Sequence, residues 1–124
     1  MIETSDAKVK EVLREVVSER PDYIYSGPEY MHRDEDGLAC FYVHKDEDGS
    51  NVAPGCLIGV VLHRLGVPLE ELEKHEGKTP VQMLKDVVGG VSRKTATILT
   101  QAQFEQDEKY PWGEAYARAT GENI

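Results

Sequence analysis

The sequence predicts an α+β fold: a mainly helical single domain around one buried central helix, with a small antiparallel β-hairpin beside it. Three observations lead there. Residues 51–66, NVAPGCLIGVVLHRLG, form the most apolar run in a chain that is 40% hydrophobic and 30% charged. On either side lie stretches whose apolar residues recur every three to four positions, the period of an amphipathic helix. One stretch, 38–44 (LACFYVH), alternates instead, and the tetrapeptide Asp-Glu-Asp-Gly brackets it at 34–37 and 46–49 as turn chemistry. At 124 residues the chain is long enough for one core without disulfide or metal staples.

Taken in order, the first helix is expected over about 5–20. Ser5 is its cap, Val9, Val12, Leu13, Val16 and Val17 form its apolar stripe, and Pro21 follows its end. Glu11, Glu15 and Glu19 repeat at helical spacing on the opposite ridge and repel slightly, so that ridge is either solvated or faces a basic partner. Tyr23, Ile24 and Tyr25 begin an extended segment, interrupted at Ser26-Gly27-Pro28. In the strand 38–44, Leu38, Cys40, Tyr42 and His44 share one face, and Ala39, Phe41 and Val43 the other.

The central helix is expected over 54–65, with Pro54 in its first turn, Gly66 as its left-handed end and Pro68 barring continuation. Gly59 in mid-helix costs about 1 kcal/mol against alanine, which implies the close approach of another backbone. A short helix over 68–74 follows, then one from Thr79-Pro80 to about Val87 with Val81, Leu84 and Val88 inward. Gly89-Gly90 is a stop. Ser92 caps the last long helix, which runs to about Glu108, and Pro111 opens a final short one ended by Gly121. Trp112 is large enough to close the bottom of the core.

The net charge is −9 and is unevenly spread: residues 22–49 carry eight acids against Arg33 and Lys45. Direct nucleic-acid binding needs a basic face and is not expected. A basic protein surface is the complementary partner, with Asp34, Glu35, Asp36, Asp46, Glu47 and Asp48 on the two turns as its contacts. No apolar run approaches the roughly 20 residues of a membrane span, and the amino end lacks a signal-peptide core. The expected compartment is the cytoplasm, where the two cysteines remain thiols.

Chemistry has three candidate seats. Cys56 falls at the start of the central helix, where unpaired N–H groups favour a thiolate, and His44 on the adjoining strand is the available base. That pair is the basis of an alternative reading as a cysteine-dependent hydrolase. Zinc is disfavoured by spacing: Cys40 and His44 stand roughly 13 Å apart along a strand, and Cys56 and His63 about 10 Å apart along a helix. The second seat is 89–95, GGVSRKT, where Arg93, Lys94 and Thr95 at a helix start suit a phosphate or carboxylate. Its spacing is not that of a P-loop, and no cofactor is expected. The third is a polar pocket of Gln103, Asp107 and Trp112, the other reading being that these amides satisfy backbone groups of a neighbouring segment. Asp46-x-Asp48-Gly49-x-Asn51 lacks the closing acid of a calcium loop, since Leu57 stands there.

Cys40-x-Tyr42, Pro54-x-Cys56-x-Ile58-Gly59 with Leu62 and Gly66-Val67, Gln103-x-x-Gln106-Asp107 and Trp112-Gly113-x-Ala115 together resemble a group of small uncharacterised proteins of actinobacteria and their phages. The resemblance spans about 21–119. It implies a phage or actinobacterial accessory protein and transfers no catalytic residue. With the charge pattern, the function it implies is non-enzymatic binding or regulation of a host macromolecule through an acidic surface. The alternatives are the hydrolase of Cys56 and His44 and a small anionic-ligand-binding protein seated at Arg93–Thr95.

Overall fold

The computed structural model describes residues 2–25, 42–45, 48, 50–76 and 78–123. Its elements in chain order are β1 (Ile2–Glu3), α1 (Asp6–Glu19), β2 (Val43–Lys45), β3 (Asn51–Pro54), α2 (Leu57–Leu65), α3 (Leu69–Lys74), α4 (Pro80–Val87), β4 (Val88–Gly89), α5 (Arg93–Asp107) and α6 (Trp112–Thr120). The α+β, mainly helical architecture is as the sequence predicts. Leu57, Ile58, Gly59, Val61 and Leu62 of α2 are fully covered, by α1 on one side, α5 on another and the β2–β3 hairpin above. Val9, Val12, Leu13, Val16 and Val17 make the buried stripe of α1, and Ser5 caps it by accepting from the Lys8 N–H.

Two starts differ from expectation. Pro54 is not in the first turn of the central helix. It ends β3 opposite Val43, and Gly55 then donates to the Tyr42 carbonyl, so the hairpin takes the first four residues of the apolar stretch and the helix starts three residues later than expected, at Leu57. A short apolar run does not by itself divide strand from helix. Val81, expected inward, is 49% exposed, because α4 turns Met83, Leu84 and Val87 to the core instead. Thr79 and Gln82 close a reciprocal capping box at the start of α4.

Residues 21–25 form a turn and an irregular strap rather than a strand. In the alternating stretch only 42–44 are described, and the facing of Leu38, Ala39, Cys40 and Phe41 lies outside the described residues. The stop at 89–90 is also an anchor. Val88-Gly89 pairs in parallel with Ile2-Glu3, and Thr4 donates to the Gly89 carbonyl at 3.0 Å, tying the amino end to the α4–α5 connection.

Gly59 has the neighbour that its mid-helix position implied. A Cβ there would overlap the carbonyl of Tyr42, so β2 lies against the helix backbone itself. Gly66, at φ 115°, ends α2 in the left-handed region, and the Val67 N–H donates to the Leu62 carbonyl. The overlap is with main chain, which cannot rotate aside. Gly59→Ala is therefore expected to lower the unfolding free energy by about 1–3 kcal/mol, read from urea denaturation.

Candidate functional site

Helix α2 begins inside the protein, and its first N–H groups have no water to bond. Cys56, its extended N-cap residue, supplies no side-chain cap. The acceptors come from α5 instead: Gln106 Oε1 takes the Leu57 N–H at 2.8 Å, and Gln103 Oε1 takes the Ile58 N–H at 3.1 Å. The same Gln106 oxygen also accepts from the Trp112 indole at 3.3 Å, which uses both its lone pairs. Its amide nitrogen donates to Asp107 Oδ1 at 2.8 Å. Of the two readings of these amides, the backbone one describes the geometry. Asp107 and Trp112 meet at Gln106 and Gln103 bonds the next N–H along, but Gln103 is 3% and Trp112 0% exposed, and what results is a capped helix end.

Asp107 is the strongly perturbed acid of this cluster. Desolvation pushes its carboxyl up to about 6, against the opposing pull of the Gln106 hydrogen bond. Glu76 is raised too, again chiefly by burial, while accepting both the Tyr42 and Val43 N–H groups at 2.9 and 3.1 Å. That carboxylate holds β2 against the end of α3, aided by the Tyr42 hydroxyl donating to the Lys78 carbonyl. Nothing in the spacing of Glu76 marks it, since its partners lie more than thirty residues away in sequence.

The other candidate residues are likewise engaged within the fold. Cys56 is completely buried, and no hydrogen bond joins it to His44. His44 lies opposite Ala53 in the hairpin and bonds Tyr25 Oη through Nε2 at 2.9 Å, with burial holding its imidazole below the usual range. Cys40 lies outside the described residues, and among those described no three His, Cys, Asp or Glu side chains gather as metal ligands would.

The anion expected at the start of α5 is supplied by the chain itself. Asp6 Oδ1 accepts the Ser92 N–H at 2.7 Å, and Ser92 Oγ accepts from Thr95. Bonding to Ser92 holds the Asp6 carboxyl below its ordinary value. Thr95 is 1% exposed, while Arg93 and Lys94 point outward. The seat read at Arg93, Lys94 and Thr95 is thus a structural brace between α1 and α5.

Of the acidic contacts, Asp48 is exposed, and Asp34, Glu35, Asp36, Asp46 and Glu47 lie outside the described residues. A feature not read from the sequence is a groove of about 530 Å³ between α4 and α5, floored by Val81, Leu84, Val88, Val91 and Ala96 and flanked by Lys85 and Arg93. Its sequence signal is the pair of cations at the start of α5, where they oppose the helix dipole.

No family model matches the chain, and neither a curated protein nor a solved structure does.

Two outcomes follow from the α2 cap. Gln106→Leu strands the Leu57 and Trp112 donors, each worth about 1–3 kcal/mol when buried and unpaired. It is expected to destabilise more than Gln103→Ala, as measured by chemical denaturation. For Asp107, the folded carboxyl titrates higher than the unfolded one. Over roughly pH 4–6 the native state therefore binds more protons, and stability falls as pH rises through that window. Asp107→Asn is expected to raise stability at pH 8, leave it nearly unchanged at pH 4, and flatten the profile between.

Proposed function

We propose that the protein is a non-enzymatic binding or regulatory protein that engages a basic surface on a protein partner through its acidic segment. The observation that carries this is the charge of residues 22–49, eight acids against Arg33 and Lys45 in a chain of net charge −9. Such a concentration steers a cationic partner from a distance and disfavours polyanions. Asp34, Glu35, Asp36, Asp46, Glu47 and Asp48 supply the contacts.

Support also comes from how the reactive side chains are used. A thiol nucleophile must meet its substrate, and Cys56 is fully covered. The imidazole proposed as its base is bonded to Tyr25. The helix start that would seat a small anion already holds Asp6. Binding through an exterior field asks nothing of these groups. The resemblance to small proteins of actinobacteria and their phages makes a host protein the partner this reading expects, met in the host cytoplasm.

The test is affinity capture from host lysate by the native chain and by a variant carrying Asp34→Asn, Glu35→Gln, Asp36→Asn, Asp46→Asn, Glu47→Gln and Asp48→Asn. A partner held by the native chain should bind the variant about tenfold or more weakly and elute as salt rises. No capture at low salt, or capture indifferent to both changes, overturns the reading.

A further inference from the structure

The groove between α4 and α5 has the opposite character to the acidic segment. Its floor is aliphatic, and Val81, part of that floor, is about half exposed although apolar. Lys85 stands on the α4 side and Arg93 on the α5 side. Both are exposed, and neither has an ion-pair partner among the described residues. Elsewhere the described cations are paired in numbers: Lys8 with Glu11, Arg64 with Glu15 and Glu19, Lys45 with Glu73, Lys78 with Asp86, and Arg118 with Glu105 and Glu114. What sets Lys85 and Arg93 apart is their place: both line the same apolar groove, one from α4 and one from α5.

Two carboxylates come near the same end: Asp6 is bonded to the Ser92 N–H, and the Glu3 carboxyl lies beside Gly89. Neither carboxylate forms an ion pair with Lys85 or Arg93, which line the groove together with the valines.

We propose that the α4–α5 groove binds an amphipathic helical peptide segment of a partner protein, one whose apolar stripe is flanked by Asp or Glu. An apolar floor between two cationic walls is the electrostatic complement of that stripe, and a helix laid in a groove between helices is an established mode of peptide recognition. The volume, about 530 Å³, suits a few aliphatic side chains. This site is independent of the acidic segment and selects a partner surface of the other sign.

The probe is a fluorescein-labelled synthetic peptide of about four helical turns, with leucines at helical spacing flanked by glutamates. Its anisotropy is titrated with the native chain, with a K85E/R93E variant and with V81D. These positions are exposed, so both variants should fold, which circular dichroism checks. Saturable binding should weaken about tenfold or more in each variant. A scrambled peptide of the same composition, and one with lysines for glutamates, should bind weakly by the same margin. Absence of saturable binding, or equal binding by folded variants, overturns the proposal. So does a variant-sensitive response to dodecanoate without one to the peptide, which assigns the groove to a small amphiphile. A native dimer that V81D dissolves in sedimentation assigns it to a second copy of the chain.

Discussion

Two side-chain amides on α5 decide where the central helix starts. A buried helix terminus is costly because its first N–H groups lose water and gain nothing. Here Gln103 and Gln106 stand in for the missing cap, and Gln106 spends its remaining capacity on the Trp112 indole and the Asp107 carboxyl. One residue thereby ties together the start of α2, the end of α5 and the start of α6. The main chain continues the arrangement: Trp112 and Gly113 donate their N–H groups to the carbonyls of Tyr23 and Pro21, at 2.9 and 2.8 Å. Tyr23 then meets the Trp112 ring edge-on, and the Arg20 guanidinium lies over both rings. Two helices can begin in the interior because other segments bring acceptors to them.

The same economy runs through the charges. The acidic ridge of α1 is met by Arg64 from the end of α2, whose guanidinium donates to both carboxylate oxygens of Glu19 at 2.6 and 2.8 Å. An exposed pair of this kind adds little stability, but it fixes the angle between the two helices. Asp6 does comparable work at the other end, where a carboxylate from the first turn of α1 completes the start of α5. Because that seat is taken internally, Arg93 and Lys94 are left to face outward rather than to hold a ligand between them.

The sequence made the helices legible because each carries its own punctuation: Ser5 and Ser92 as caps, Gly66 and Gly121 in left-handed ends, a full apolar stripe in α1. It also showed that Gly59 must meet a backbone, though not that the backbone belongs to Tyr42. What stayed hidden depends on distant pairing. The strands Ile2–Glu3 and Val88–Gly89 have two residues each, too short for any period, and meet only after the chain has closed on itself. Pro54 was misread because a missing N–H is tolerated equally at a strand's end and in a helix's first turn. Among the candidate site residues, spacing put Gln103 and Asp107 on one helix face but said nothing of what Gln103, Asp107 and Trp112 would bond. Burial decided that, and burial is a property of the whole fold.

Burial also separates the two kinds of surface this protein has left. Every group with intrinsic reactivity that can be followed, Cys56, His44 and the carboxylates of Glu76 and Asp107, is tied by packing or hydrogen bonds to holding the hairpin and helices together. What these groups leave over is the acidic composition of residues 22–49 and an aliphatic groove, lined also by Lys85 and Arg93, between α4 and α5. Charge of one sign alone gives attraction without register, since long-range fields carry little geometric information. An apolar groove alone gives contact without selectivity. On the readings proposed above, the two features would answer to partner surfaces of opposite sign.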